Sequence, residues 1–486
     1  MLASSLFCTS ALWVTVTAHG NHHTGEGSKI PEGETVSAEP LGTIMWIHIF
    51  IQLFTYGLVF PIGMVLGISK SRWHVPTQAF GTALAIVGFF LGHSHTGREF
   101  TSKNVHASFA WTLQFLLVIQ VALGVYLRGH WEKGINKRIR SLIRPCHSIL
   151  GKAMPVLSWA QLVFGGITAL GFCQGDYLGQ CAAHFIMGSA FIAYGVILTI
   201  ILLVGQLWVR RSGRSQEFYD SAVLTLWGFI NSFTEHHWGT EWVRNDWQHT
   251  MIGVIWLCAG LVGMWLSWGR DRAPKRNFIP GAVLFVTGWT MSAHPQELMV
   301  SAATHMAFGF ALMTAGVTRI IEIAFLLKDR HSVFYDGRSW NSFQFIPIFS
   351  LFAAGFLLMG ATAEQMSFID SSSMDHVSYI LVLLSVTCIF FLFTNVLVHI
   401  YDRHASDRSN REITTKDYLD EYDAENGHDR ASDDFELRGL IKGDMQDENR
   451  RAGVQTSGES SESFELSSTS TAGKKSQPFA SPHITQ

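Results

Sequence analysis

The sequence predicts an all-α protein that crosses a membrane many times, through about eleven transmembrane helices. Three observations support this fold class. Apolar runs of about 20 residues recur along the chain, which is the length of helix that crosses the hydrocarbon core of a bilayer. Of the 486 residues, 48% are hydrophobic and only 15% are charged. The Arg and Lys residues gather in alternate loops between the runs. We therefore expect the lipid bilayer to be the main partner of this polytopic protein.

Net charge and cysteine content exclude two other classes of protein. A formal net charge of -3 is too small to indicate a nucleic-acid partner. Six cysteines in a chain of this length do not make a disulfide framework.

The N-terminal residues predict a cleaved secretory signal. Residues 1–18 join a short apolar core to the small residue Ala18, and polar residues follow. Cleavage there would make His19 the new N-terminus, close to His22 and His23, and an amine beside imidazoles can chelate copper. In the alternative interpretation, residues 19–41 are only a polar extracytosolic lead-in to the first span.

Eleven predicted spans follow by hydropathy. They cover residues 42–67, 75–92, 104–127, 147–172, 179–208, 219–235, 247–268, 278–294, 298–327, 342–363 and 376–401. Loops after odd-numbered spans carry clusters of Arg and Lys, whereas loops after even-numbered spans carry only Arg98, Lys103 and Arg244. Because basic residues stay on the cytoplasmic side, we predict an outside or lumenal N-terminus and a cytosolic C-terminus, in a membrane of the secretory pathway.

This orientation makes two further predictions. It places the loop between Cys173 and Cys181 in an oxidising compartment, so these cysteines either form a disulfide or remain as free thiols. Residues 402–486 are polar and rich in Asp, Glu, Ser and Thr, which predicts a disordered cytosolic tail.

The first four spans, within residues 42–172, each carry a histidine near their first turn. These histidines are His48, His74, His106 and His147. Since neighbouring spans alternate in direction, the first and third histidines share one membrane depth and the second and fourth share the other. Two imidazoles at one depth suit the axial positions of a haem iron, so we predict two haem b groups. In the alternative interpretation, these histidines are polar residues that line a helix bundle.

Residues around these histidines resemble the cytochrome b561 core, in the four-helix version found in ferric-reductase-like and DOMON-linked proteins. The resemblance rests on Pro61, Gly63, Trp73, His74, Gln78, Gly81, His106, Gln120, Gly124, His147 and Gly151. It implies that haem b is held by the first and third and by the second and fourth histidines. It also implies that electrons cross the membrane from a cytosolic donor such as ascorbate to an outer acceptor such as ferric iron. The basic stretch 128–144 would then receive the anionic donor, or it serves only as a positive-inside loop.

The second half of the chain, residues 178–401, predicts a seven-helix domain with histidines at the outer ends of its spans. They are His184, His236, His237, His249, His294, His305 and His376. Such a rim of imidazoles suits Zn or Cu, or a proton relay. The alternative is a set of interfacial histidines that hydrogen-bond to loops. On the ninth span, Arg319 and Glu322 share a helix face and are expected either to pair inside the membrane or to reach towards the cytosol.

This half resembles the C-terminal domain of fungal Ytp-type membrane proteins. The resemblance rests on His237-Trp238 followed by Asp246-Trp247-Gln248-His249 and Met251. It implies the arrangement seen here, a b561-like bundle followed by a Ytp-type domain and a polar tail, and it brings no activity with it.

The leading functional hypothesis is a membrane protein that binds haem b and carries electrons across the bilayer, with a second, metal-binding domain. The runner-up is a metal-ion or proton-linked transporter without haem, in which the b561-like bundle is a scaffold. A third hypothesis is a membrane organiser that acts through its tail.

Overall fold

The all-α class is confirmed by the computed structural model, which describes residues 30–31, 35–129, 133–236, 239–268, 275–328, 340–372 and 374–426. Within these ranges extended pairing is limited to isolated β-bridges between residues 36–41 and the loop 97–100. The main helices are α1 (Thr43–Ile68), α2 (His74–His93), α3 (Val105–Arg128), α4 (Ile135–Leu170), α5 (Leu178–Leu203), α6 (Gln216–Thr234), α7 (Arg244–Leu266), α8 (Ile279–Ser292), α9 (Met299–Leu327), α10 (Phe345–Met359), α11 (Ala363–Ser371) and α12 (His376–Asn426).

Every predicted span coincides with one of these helices, but in the described ranges nine helical segments have the length and composition of a membrane span. The two that fall short are α6 and α8. The first carries the buried acidic residues Glu217 and Asp220, and the second is an apolar helix of 14 residues. The expected number of eleven is therefore not reached by length and hydropathy alone.

Helix α4 begins earlier than the sequence predicts. It starts at Ile135, whereas the span was placed from residue 147, so the second part of the predicted basic loop is helical. The predicted boundary was set by the apolar run alone. Hydropathy does not detect the amphipathic helical turns that precede this run. His147 consequently lies about three turns into the helix instead of on its first turn.

Helix α1 contains a π-helical segment, Thr55–Val59, between its two α-helical parts. Pro61 follows shortly after it and has no N–H with which to continue the α-helical ladder. A π-helical turn contains one extra residue, so its backbone hydrogen bonds join residues five apart and the rest of α1 is rotated about its axis. The π-helical segment therefore sets which side chains of α1 face the other helices at each depth.

The first four helices form two hairpins. Helix α1 packs on α2, and α3 packs on α4. The hairpins meet in an apolar core at mid-height, which we call the central plug: Tyr56, Phe60, Ala85, Leu113, Leu117 and Met154. Polar histidines are thereby confined to the two ends of the bundle.

Helix α10 is the centre of the second half. Most of its residues are buried, and it packs on α5 and α9 around Phe308, Leu312 and Leu351. Helices α8 and α9 approach so closely that a Cβ on Gly288 would lie 2.4 Å from the carbonyl oxygen of Gly309. Small residues at such crossings replace the missing hydrophobic driving force with close packing.

Three sequence predictions about the connections have different outcomes. The disulfide between Cys173 and Cys181 is confirmed. Helix α12 continues to Asn426, so residues 402–426 of the predicted disordered tail are helical. The polar composition of these residues did not predict that the helix of the last span would continue. The predicted signal at residues 1–18 and residues 427–486 lie outside the described residues.

Candidate functional site

Two pairs of imidazoles meet inside the first four helices, one at each end of the central plug. His48 of α1 and His106 of α3 have ring centroids 6.2 Å apart with planes at 88°. His74 of α2 and His147 of α4 have centroids 6.3 Å apart with planes at 79°. We call the first pair the outer couple and the second the inner couple, after the predicted orientation. These are the pairs that the alternation of the spans led us to expect.

The rings are held by hydrogen bonds from one nitrogen to backbone carbonyls of the neighbouring helix. The Nδ1 atoms of His48 and His74 lie 2.6 Å from Gly88 O and 2.7 Å from Gly63 O. His106 Nδ1 lies 3.3 Å from Gln161 O. Because a carbonyl only accepts, Nδ1 carries the proton and Nε2 keeps its lone pair. This is the arrangement found in metal-ligating histidines, whose second nitrogen is usually anchored in this way.

His147 is anchored less firmly than the other three. Its ring faces the backbone of Gln120, but Nδ1 forms no hydrogen bond of ordinary geometry there. The Gln120 amide instead donates to the carbonyl oxygen of His147 at 3.1 Å, as the Gln161 amide donates to that of His106 at 3.0 Å. The two couples therefore share one plan in α3 and α4.

Each of the four imidazoles lies against a glycine of a neighbouring helix. A Cβ added to that glycine would meet the ring at 2.7 Å for Gly92 and His48, 2.7 Å for Gly67 and His74, 3.2 Å for Gly165 and His106, and 3.2 Å for Gly124 and His147. Side chains at these positions would occupy the space of the rings. The glycines thus leave bare backbone on which each imidazole rests.

Glutamines complete a repeated pattern in the first hairpin. On α1 and on α2, a histidine and a glutamine one turn apart contact two glycines one turn apart on the other helix. The contacts are His48 on Gly92, Gln52 on Gly88, His74 on Gly67, and Gln78 on Gly63. The sequence did not single out Gln52, Gly67 and Gly92, or Gln161 of α4. A search for four-residue spacing in both residue types would have found the first three.

The couples are separated by an apolar stretch of the bundle. From His48 to Gly63, whose carbonyl anchors the inner couple, α1 rises roughly 22 Å. The central plug fills this interval, and its residues are at most 7% exposed. Water and ions are therefore kept out of the region between the couples.

A second group of imidazoles converges in the other half of the protein. We call it the histidine cluster: His184, His249, His294 and His305. Ring centroids lie 5.4 Å apart for His249 and His294, 6.4 Å for His294 and His305, and 5.9 Å for His305 and His184. The rings come from α7, the loop after α8, α9 and α5, so the cluster forms only when these elements pack together.

The Nδ1 atom of each ring in the histidine cluster faces an oxygen atom. His184 Nδ1 lies 2.8 Å from Gln180 O, and His305 Nδ1 lies 2.9 Å from Ser301 O. In the same way, His294 Nδ1 is 2.8 Å from Gln248 Oε1, and His249 Nδ1 is 3.5 Å from Glu235 Oε2. Nε2 is thus the second nitrogen of each ring, and that of His184 lies 3.3 Å from the Gln180 amide.

His294 is the member of the histidine cluster that lies outside the helices. Burial, together with the neighbouring His249 and His305, lowers its pKa to about 4. Its imidazole is therefore neutral at physiological pH and keeps a lone pair for a ligand.

The structure does not bring the other predicted metal-ligating histidines into this cluster. His236 Nδ1 lies 2.9 Å from Asp246 Oδ2, and its ring stacks on Trp242 with centroids 3.9 Å apart. His376 begins α12 and has no ring contact with the cluster among the described residues. His237 lies outside the described residues. A shared membrane face was thus too coarse a criterion for a shared site.

Within the described ranges, one set of three potential ligand atoms lies within 4.8 Å of one another: Cys173, Cys181 and Glu364. Both sulfurs belong to the disulfide, and the Glu364 carboxylate accepts a hydrogen bond from Cys173 N at 2.6 Å. This group therefore ties α11 to the disulfide-closed loop and is no metal site in the oxidised protein.

Charged residues form a buried network on the opposite side of the second half, which we call the ionic cluster. The Glu217 carboxylate lies 2.8 Å from the guanidinium groups of both Arg276 and Arg319. Arg319 also pairs with Glu322 at 2.7 Å, and Gln344 donates to Glu322 at 2.9 Å. The predicted pair of Arg319 and Glu322 is thus present and buried, but the sequence did not reveal its partners on α6 and beside α10.

Taken together, the fold and the sites define an integral membrane protein of many helices with paired histidines in its interior. Residues 157–402 match the family described as Protein YTP1-like, C-terminal, and residues 28–130 match a domain of unknown function, DUF2427. The chain belongs to the YTP1-like family. The cytochrome b561 resemblance of the first half is not confirmed by these matches.

Similar proteins come from fungi, and two of them are named as membrane proteins. Protein YTP1 of Saccharomyces cerevisiae is 37% identical over 287 residues, which cover 57% of this chain and 60% of that protein. The uncharacterized membrane protein C3B8.06 of Schizosaccharomyces pombe is 20% identical over 474 residues, covering 72% of this chain and 92% of that protein. The uncharacterized membrane protein YCR061W of Saccharomyces cerevisiae is 25% identical over 251 residues, covering 40% and 39%. No solved structure matches.

Proposed function

We propose that the first four helices bind two haem b groups, one between the imidazoles of each couple, and carry electrons across the membrane. The observation that carries this proposal is the spacing of the couples, with ring centroids 6.2 and 6.3 Å apart. A bond from a metal to an imidazole nitrogen is about 2 Å long, so two imidazoles on opposite sides of one iron have centroids roughly 6 Å apart. Each couple therefore has the separation that a bis-histidine haem requires.

The chain's own residues prepare the ligands. Backbone carbonyls accept hydrogen bonds from Nδ1 of His48, His74 and His106 and leave Nε2 with its lone pair, and the glycines allow a flat group to lie close to the helices. The central plug keeps water away from the interval between the couples. His48 and His106 would hold one haem b and His74 and His147 the other, and the bound groups would supply one-electron redox chemistry.

The direction of transfer follows from the predicted orientation, with the N-terminus outside or lumenal in a membrane of the secretory pathway. The inner couple then faces the cytosol, where the first turns of α4 carry basic residues: Lys137, Arg138, Arg140 and Arg144. These cations favour an anionic electron donor such as ascorbate. The outer couple would pass the electron to an acceptor such as ferric iron, as the resemblance to cytochrome b561 implies.

A metal-ion or proton-linked transporter without haem is the second candidate. Ionisable groups inside a membrane domain commonly mark an ion path, and the second half holds both the histidine cluster and the ionic cluster. In that case the paired histidines of the first half would only support the bundle.

The test is a reduced-minus-oxidised absorbance spectrum and a haem assay on the full chain, purified from cells supplied with haem. We expect haem b bands and about two haems per chain. His48→Ala and His106→Ala should each remove the same haem, and His74→Ala and His147→Ala should each remove the other. His399→Ala is the matched control, because this histidine is exposed on α12 and belongs to neither couple.

Two results would overturn the proposal. One is a wild-type spectrum without haem b bands. The other is a full haem content in the four variants. If haem is absent and ion uptake into vesicles still depends on the second half, the transporter becomes the better assignment.

A further inference from the structure

We propose that the histidine cluster of the second half is a binding site for one divalent transition-metal ion that prefers imidazole nitrogen, Zn²⁺ or Cu²⁺. This site is separate from the two couples and uses residues of α5, α7, α9 and the loop after α8. Of the seven histidines that the sequence placed at this membrane face, four form it. The inference stands on convergence of ligands, on anchoring of their second nitrogens, and on a nearby carboxylate.

Convergence is the first argument. The four side chains come from residues that are far apart in sequence, and each ring contacts at least one other ring within 6.4 Å. Ring contacts link the four imidazoles in sequence, from His249 to His294, from His294 to His305 and from His305 to His184. Imidazole nitrogen is a ligand that suits both Zn²⁺ and Cu²⁺.

Anchoring of the second nitrogen is the next argument. A histidine that only fills space at a membrane face would satisfy either nitrogen with whatever is nearest. Here all four Nδ1 atoms face an oxygen, at 2.8 to 2.9 Å for three rings and 3.5 Å for His249. The same nitrogen is anchored each time, which leaves the same nitrogen, Nε2, for the ion.

A carboxylate beside the histidine cluster favours binding of a cation. An imidazole that ligates a metal through one nitrogen brings no charge of its own, and the carboxylate of Glu235 lies 3.5 Å from His249 Nδ1. A divalent ion would therefore be partly compensated inside the site. The amide of Gln180, 3.3 Å from His184 Nε2, occupies the space that an ion would take and must turn away on binding.

The spacing of the rings defines how the site must respond. Two imidazoles on one tetrahedral ion have centroids roughly 5 Å apart, given metal–nitrogen bonds of about 2 Å. The observed separations of 5.4 to 6.4 Å are wider than this. Binding therefore requires the rings to pivot inwards about their anchored Nδ1 edges, and we expect the ion to tighten α5, α7 and α9 around it.

The experiment is metal titration of the full chain in detergent after removal of metals with a chelator. All proteins in this experiment carry His22→Ala and His23→Ala as a common background. These substitutions remove two of the three N-terminal histidines that could chelate copper and leave His19. Bound metal is counted by mass spectrometry after dialysis against Zn²⁺, Cu²⁺ or Mg²⁺. We expect about one Zn²⁺ or Cu²⁺ ion per chain and no retained Mg²⁺, together with a higher melting temperature.

The variants separate the site from general folding effects. His305→Ala and His294→Asn should each lower the affinity by about 10-fold or more, and His294 lies after the end of α8, outside the helices. His376→Ala is the matched control, a histidine of the same predicted face that lies outside the cluster, and it should bind normally. Unchanged elution and melting of the metal-free variants show that they are folded.

The proposal is overturned if the background protein binds no ion, or if His294→Asn and His376→Ala bind metal equally well. Retention of Mg²⁺ at the same level would also overturn it, because imidazole does not select this ion. The result is independent of haem: the titration is read as bound Zn²⁺ or Cu²⁺, whether or not the first four helices carry a haem b band.

Discussion

Substitution of Gly92 by alanine tests the proposed outer haem site through a residue that is not itself a ligand. The added methyl would lie 2.7 Å from His48 Nδ1 and Cε1, about 0.7 Å inside the 3.4 Å at which ordinary contact begins. Helix α2 cannot retreat by that distance without stretching the 2.6 Å contact between His48 Nδ1 and Gly88 O. His48 is therefore displaced in either case.

The displacement is large compared with what a metal ligand tolerates. Bonds from metals to their ligands stay within about 0.2 Å of their normal length, so a shift of about 0.7 Å breaks the outer couple as a bis-histidine site. We expect Gly92→Ala to reduce the haem content from about two to about one per chain, with the remaining haem held by the inner couple. The assay is haem content and the reduced-minus-oxidised spectrum of the purified protein.

A matched glycine provides the control. A Cβ on Gly166 in α4 would have nothing within 4 Å. Gly166→Ala should keep both haems and gain up to about 1 kcal/mol of stability from helix propensity, a gain that Gly92→Ala should not show. A Gly92→Ala protein with full haem content and an unaltered spectrum would refute the steric reasoning.

The remaining predictions concern stability. Arg319→Leu removes one of the two guanidinium partners of Glu217 and the guanidinium partner of Glu322, and loss of one member of such a buried network costs about 3–5 kcal/mol. Thermal unfolding in detergent measures this loss, and a change below about 1 kcal/mol would contradict it. Replacing both Cys173 and Cys181 by serine opens a loop with a sequence separation of 8, which should lower the unfolding free energy by about 2.5 kcal/mol. Mass mapping under non-reducing conditions should find the two cysteines linked in the wild type, and free thiols there would count against this prediction.

Hydropathy predicted most of the architecture because burial in lipid imposes a simple length requirement on each helix. The eleven runs all became helices, and the alternation of their directions placed the histidines of the first four spans in the correct pairs. Where the prediction was inaccurate, the cause was local. Helix α4 begins with amphipathic turns from Ile135, and α6 is too polar to be counted as a span because it carries Glu217 and Asp220.

Interactions between distant helices were harder to predict. Arg276 was counted among the loop residues that set the orientation, yet its guanidinium binds Glu217 in the interior. His236 and His249 are close in sequence and on the same membrane face, yet only the second joins the histidine cluster. Stacking on Trp242 and a bond to Asp246 hold the first elsewhere. The spacing of residues along one helix predicts neither the pairing of Arg276 with Glu217 nor the exclusion of His236 from the histidine cluster.

The sequence by itself determined that this is a polytopic helical membrane protein, how its spans alternate, and that four histidines recur in phase in its first half. These properties follow from composition and periodicity, which are local and additive along the chain. Only the tertiary structure decided that each ring of the couples rests on a glycine, that four of seven outer histidines converge, and that α6 and α9 share one ionic cluster with Arg276 and Gln344. Such contacts depend on how helices rotate and cross, and packing of the whole bundle fixes both.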